Sequence, residues 1–251
     1  MRQVLPSRIP WLLTMAVVAL VVTVAPAQGA SPNGLGLTWG SNANGQLGTD
    51  MPIAVDTAGV LSGKTVTDSS AGGEHSCAIA DSAVFCWGNN QYGQLGNGQT
   101  TRSLIPVAVN TSGVLAGRTV TSVSAGENHT CAIADGAAYC WGSNNQGQLG
   151  NNGGPFDDYS SPVAVNTAGA LSGKTVTSIS AGSNRTCAIA YSTGPSDSAA
   201  YCWGNNNAGQ LGDNSTTQRK TPVAVTASDP GLADKTVTDI STGGTHTCAV
   251  A

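Results

Sequence analysis

The chain has 251 residues, a formal net charge of −4, only 10% charged residues and 33 glycines. No lysine or arginine run supplies the basic footprint that phosphate contacts demand, which excludes nucleic acid as a partner. That length is ample for one sizeable domain.

The first element is a leader. Arg2 and Arg8 precede a stretch from Trp11 to Ala25 that is apolar except for Thr14 and Thr23, and Ala25-Pro26-Ala27 is a small-x-small cleavage site. This is the layout of a secretory signal peptide over residues 1–27. This 15-residue stretch falls short of the ~20 that cross a bilayer. No second apolar span follows, so the part from 28 to 251 is expected to be secreted, periplasmic or held at the cell surface, with no membrane span in the mature chain.

Gly59-Val60-Leu61-Ser62-Gly63-Lys64-Thr65 looks at first like the end of a phosphate-binding loop, but that motif needs four residues between its first glycine and the Gly-Lys pair. The stretch GVLSGKTVT (59–67) also returns as GVLAGRTVT (113–121), GALSGKTVT (169–177) and GLADKTVT (231–238). A catalytic loop would not be copied with lysine exchanged for arginine, so the piece is scaffold. A longer unit surrounds it. WGNNQYGQLG (87–96), WGSNNQGQLG (141–150) and WGNNNAGQLG (203–212) repeat the Trp39–Gly48 segment, PIAV or PVAV follows each, and AGGEHSCAIA (71–80) has counterparts at 125–134, 181–190 and 242–251. The tryptophans stand 48, 54 and 62 residues apart, a period suited to one β-sheet per unit.

Each unit reads as four short strands: PVAV, an alternating KTVTSVSA, and a hairpin of TCAIA with AAYCW around Asp135-Gly136, a dipeptide suited to a type I′ turn. The expected fold is all-β, a β-propeller of four-stranded antiparallel blades. The run of Gly-x-x-His-[Ser/Thr]-x-Ala, hairpin, Trp-Gly and Asn-x-x-Gly-Gln-Leu-Gly resembles the regulator-of-chromosome-condensation repeat over about residues 35–251. That resemblance implies a propeller, usually of seven blades, so about four repeats read as a possible incomplete ring. The family's namesake is a nuclear exchange factor for a small GTPase. An exported acidic chain without a basic tail or a long inserted hairpin is expected to keep the fold and not the exchange activity.

Seven cysteines occur. Counting outward from Asp135-Gly136 pairs Ala134 with Ala137 and reaches Cys131 opposite Cys140 as a non-hydrogen-bonded pair, where Cα atoms lie about 4.5 Å apart. That spacing admits a disulfide. Three intra-blade disulfides are expected, Cys77–Cys86, Cys131–Cys140 and Cys187–Cys202, the last around a longer tip from Tyr191 to Ser198. Cys248 is expected to be a free thiol, facing Thr38 if the N-terminal segment closes the ring. A truncated chain, an open arc and assembly between chains are the alternatives, and an open arc would leave strand edges exposed to self-association.

His75, His129 and His246 stand two residues before the first hairpin cysteine, and Arg185 takes that place in the third unit. A zinc ring would not accept arginine, whereas a hydrogen-bond donor tying a Gly-rich turn would. No metal and no cofactor are expected. No unlike pair of carboxylates or Ser-His-Asp set stands out, so the protein is expected not to be an enzyme. Recognition is expected where the repeats differ. These places are Tyr92, the insert Asn151–Ser161 with Phe156, Asp157, Asp158 and Tyr159, the tip with Tyr191, and the segment Asn214–Lys220 with Arg219 and Lys220. The function expected is a binding scaffold for a protein or glycan outside the cytoplasm. The rivals are a secreted enzyme inhibitor, suggested by resemblance to secreted propellers that inhibit β-lactamases, a wall-glycan-acting enzyme, and an exchange factor by family name alone.

Overall fold

A computed structural model describes residues 41–48, 59–154, 157–226 and 235–251. They all belong to one unit of the chain, residues 33–251. The expected leader, the PIAV at 52–55, Thr38 and Phe156 lie outside the described residues.

The strands run β1 (Val66–Ala71), β2 (His75–Ala80), β3 (Ala83–Gly88), β4 (Ser103–Ala108), β5 (Val120–Ala125), β6 (His129–Ala134), β7 (Ala137–Gly142), β8 (Tyr159–Ala164), β9 (Thr175–Ala181), β10 (Arg185–Tyr191), β11 (Ala199–Gly204), β12 (Arg219–Ala224), β13 (Asp239–Thr242) and β14 (Thr247–Val250), with one 3-10 turn at Pro195–Asp197. They form three four-stranded antiparallel sheets, β1-β2-β3-β4, β5-β6-β7-β8 and β9-β10-β11-β12, and a two-stranded sheet, β13-β14. These are three full blades and the inner half of another. Among the described residues no helix is long and apolar enough to cross a membrane.

Two features differ from the sequence expectation. The strand expected over PVAV begins three residues earlier, at Ser103, Tyr159 or Arg219, and ends before the last valine. Each of these strands also pairs with the hairpin before it and not with the KTVT strand after it. A period of two shows that a segment is a strand; it carries no information about which neighbour it pairs with.

The hairpin register agrees with the count from the turn: Ala134 faces Ala137 and Cys131 faces Cys140. Asp135 and Gly136 both have positive φ, 49° and 75°, as a type I′ turn requires. All three expected disulfides are present, each with Cα atoms 4.1 Å apart. Cys248, in β14, is exposed and unpaired.

The core lies between blades. One cluster joins Ile79 and Val84 of the first blade to Val123 and Trp141 of the second, and another joins Ile133 and Ala138 of the second to Ile179 and Trp203 of the third. Strands β2 and β6 are therefore buried on both faces along their whole length, and they lack the one-sided alternation of a solvated sheet. The first strands β1, β5, β9 and β13 lie beside one another in sequence and are also tied by hydrogen bonds. Ser70 Oγ accepts from Ala125 N at 2.9 Å, Ser124 Oγ accepts from Ala181 N at 2.9 Å, and Ser180 Oγ accepts from Thr242 N at 3.0 Å.

Candidate functional site

The repeated polar residues converge on the joints between blades. In the loop Asn89–Gly96, Asn90 Oδ1 accepts from Leu95 N at 2.9 Å and buries Leu95 completely. This folding presents the Gln94 carbonyl to the second blade, where it accepts from Trp141 Nε1 at 2.9 Å and from Thr130 Oγ1 at 2.8 Å. His75 of the first blade lies 2.8 Å from the same Thr130 hydroxyl. The next joint repeats the set with Gln148, Trp203, Thr186 and His129. Gly96 touches the tryptophan directly, since a methyl there would lie 2.6 Å from Trp141 Nε1 at a φ of +69°.

The protonation of these histidines follows from the bonding. Each threonine hydroxyl has one hydrogen, and it goes to the glutamine carbonyl, so the histidine must donate from Nε2. Nδ1 then lacks a hydrogen, and on His75 and His129 it is buried without a partner. Burial lowers the His75 pKa to about 4, and burial together with the nearby His75 lowers that of His129 to about 3. Arg185 supplies the equivalent donor at the third joint, with Nε 3.1 Å from Thr247 Oγ1, Nη1 2.8 Å from the Gly244 carbonyl and Nη2 on the His246 carbonyl. The donor role expected for this position is thus observed, but directed across to the next blade. The Gly-rich turn is closed by backbone, Gly72 N donating to the His75 carbonyl at 2.8 Å. Among the described residues no group of three histidine, cysteine or acidic side chains is placed to hold a metal.

The phosphate-loop lookalike is also accounted for. Lys64 pairs with Asp81 of the hairpin tip at 3.3 Å and lies over the Phe85 ring, and Arg118 does the same with Asp135 and Tyr139. Both basic side chains brace a blade.

The unrepeated residues collect elsewhere, along the loop end of the blades. Asp157 Oδ2 accepts from Gly154 N at 2.9 Å and Asp158 Oδ1 from Asn144 N at 3.0 Å, which leaves both carboxylates exposed at the entry to β8. Tyr159 opens β8 opposite Gly142. Tyr92 lies in the neighbouring loop, whose next residue, Gly93, packs so tightly on Ser160 that a methyl on Gly93 would lie 2.5 Å from the Ser160 Cα. One blade further on, Gly147 packs likewise on Lys220, whose carbonyl accepts from Asn152 N at 3.0 Å. Arg219 Nε donates to Asp213 Oδ2 at 2.8 Å, so its charge is already paired. Aromatic, acidic and basic residues thus share one rim.

Tyr191 does not join them. Arg185 faces Gly204, which faces Arg219, whereas Tyr191 closes the far end of β10. Six residues at about 3.3 Å each place it roughly 20 Å from the rim. Sequence reading also missed the acid that orders this tip, Asp197, whose carboxylate gathers the backbone N–H groups of Ser192, Thr193 and Gly194. Its signal was the Gly-Pro-Ser-Asp run, where an aspartate can accept from the turn ahead of it.

Models of the regulator of chromosome condensation (RCC1) repeat match residues 33–79, 81–133, 135–189 and 197–250. Each inner boundary falls near a hairpin tip, so one repeat supplies the outer half of a blade and the inner half of the next. The disulfides therefore join successive repeats. The chain is 34% identical over 218 residues to the ultraviolet-B receptor UVR8 of Arabidopsis thaliana, covering 85% of this chain and 46% of that protein. It is 31% identical over 219 residues to the E3 ubiquitin-protein ligase HERC2 of Homo sapiens, covering 84% of this chain and 4% of the ligase. Among solved structures, Prp20p of Saccharomyces cerevisiae, studied for its binding to Gsp1p and histones, superposes with a TM-score of 0.67 at 19% identity, covering 84% of this chain and 50% of Prp20p. The chain thus spans half or less of each of these proteins. With four repeats matched along the blades just described, the chain belongs to the regulator of chromosome condensation repeat family.

Proposed function

We propose that this propeller is an exported, non-catalytic scaffold that binds a protein or glycan partner outside the cytoplasm through its loop-end rim. One observation carries the reading. The recurring glutamine, tryptophan, threonine and histidine are used up in the joints, while Tyr92, Asp157, Asp158, Tyr159 and Lys220, which do not recur at their positions, lie on loop-end segments that pack together. Aromatic side chains with flanking charge are the residue types that anchor interfaces. Three disulfides point to an oxidising compartment, and the leader-like sequence of residues 1–27 supports export.

The purified protein, immobilised and exposed to the extracellular fraction of its producing cells, should retain a partner. Asp157→Ala/Asp158→Ala and Lys220→Ala should weaken capture by roughly tenfold, as interface anchors do. Capture unchanged in both variants would remove the rim from the account.

A further inference from the structure

The hairpin tips of the first two blades are two residues long, and each hands one carbonyl to the following blade. Ser82 O accepts from Val120 N at 3.2 Å and Gly136 O from Val176 N at 2.8 Å. The third tip runs from Tyr191 to Ser198 yet keeps the same link, Ser198 O accepting from Val237 N at 3.0 Å. Its added residues are therefore unnecessary for the joint, and loose drift would leave them unordered. They are instead knotted. The Asp197 carboxylate accepts from Thr193 N at 3.0 Å, Thr193 Oγ1 at 2.9 Å, Ser192 N at 3.2 Å and Gly194 N at 3.3 Å. Those bonds, Thr193 N foremost, hold its pKa below the ordinary carboxylate value. The knot is then pinned to the following sheet by Thr236 Oγ1, which donates to the Ser196 carbonyl at 2.9 Å.

This arrangement frames a cavity of about 370 Å³ between the third blade and the segment leading into β13. The size lies at the low end of the ~300–1,000 Å³ typical of small-molecule sites. Thr177, Ser178, Ser198, Thr236 and Thr238 line it, and the hydroxyls of Thr177, Thr236 and Thr238 already donate to the carbonyls of Ile189, Ser196 and Val250. Ile189, Pro195 and Val237 supply apolar surface, and Tyr191 adds a ring with a phenolic hydroxyl. Among the described residues no charged side chain lines it. Of the nearby charges, Asp197 is committed to its own knot and Lys174 to Ser192 Oγ at 2.6 Å and to the face of Tyr201, while Lys235 and Asp239 flank the lining segment without lining the cavity.

We propose that this cavity binds a short neutral saccharide. The hydroxyls of Ser178 and Ser198 can both donate and accept, and the three bonded threonine hydroxyls can still accept, which matches a polyhydroxylated ligand. A pyranose also presents an apolar C–H face that an aromatic ring and aliphatic walls can cover. An anionic or cationic ligand would meet no countercharge among the described lining residues and would gain less from the site than a neutral one. The site is independent of the rim, because Tyr191 stands at the opposite end of β10.

The test is saturation-transfer-difference NMR on the purified protein with maltose, cellobiose and N,N′-diacetylchitobiose, and with glucuronate as the charged control. At least one neutral disaccharide should show saturation transfer. Its affinity should fall at least about tenfold in Tyr191→Ala and about threefold in Ser198→Val, the range for losing a stacking ring or one hydrogen bond. Tyr159→Ala, on the rim, should leave it unchanged. Ser198→Val removes a hydroxyl while keeping the tip, so it decides the matter if Tyr191→Ala fails to fold. Absence of transfer from all three disaccharides, equal binding by a folded Tyr191→Ala or Ser198→Val, or preference for glucuronate would overturn the proposal.

Discussion

The joints and the rim are built from similar polar residues and use them in opposite ways. At the joint, Gln94, Thr130 and His75 are fully buried, and each has its bond assigned by a neighbour. At the rim, Asp157 and Asp158 are tied by one oxygen each and otherwise face solvent. Leaving a buried donor unpaired costs about 1–3 kcal/mol, and in these joints only the Nδ1 acceptors of His75 and His129 go without a partner among the described residues. The joint therefore tolerates only residues that preserve its donors, which is why arginine replaces histidine there and nothing else does. The rim carries no such constraint and is where the blades diverge.

The sharpest way to break the comparison is to remove a joint tryptophan. Trp141 is fully buried and links two blades, so Trp141→Ala should cost about 3–5 kcal/mol, read as a fall in the urea midpoint. Acid should come next. The folded-state pKa of His75 and His129 lies below the unfolded value of 6.5, so the unfolded chain binds protons more readily. The stability these groups contribute is complete above pH 6.5 and is lost as pH falls toward about 4 and about 3. The slope is about 1.4 kcal/mol per histidine for each pH unit. Urea titrations at pH 7 and pH 5 should show that loss, and His75→Gln/His129→Gln, which keeps an N–H donor, should flatten it. A profile already flat in the native sequence would refute the neutral donor histidines.

A smaller effect belongs to the disulfides. Cys131→Ser/Cys140→Ser should cost up to about 2.5–3 kcal/mol, and less to the extent that the unfolded hairpin is already partly closed. Smallest of all should be the rim: Tyr92→Ala should move the melting temperature little, since surface changes usually stay within about 0.5 kcal/mol. A large loss of stability there would mean that the rim is architecture too.

Much of this was legible in the sequence because the hairpin is local. Asp135-Gly136 sets the turn, the turn sets the register, and the register places Cys131 opposite Cys140 without any knowledge of the rest of the molecule. The strand ending in PVA was harder. Its period of two marks it as β, but the choice between the hairpin before it and the strand after it depends on how blades stack. His75 was legible as a donor from its exchange with arginine at 185, but its acceptor, Thr130, lies 55 residues away in the next blade. The candidate residues could be found as departures from the repeat, yet their division between two ends of the blades could not. Tyr191 and Lys220 differ in which end of a strand they occupy, and that follows from pairing rather than from composition.

The most direct test of the central claim, that recurring residues hold the blades and non-recurring ones recognise a partner, is the affinity of Tyr92→Ala/Tyr159→Ala for the partner captured by the native protein. It should be measured beside the melting temperature of the same variant. The account predicts binding weakened by about tenfold or more, with the melting temperature nearly unchanged. Native affinity in a stably folded double variant would contradict it.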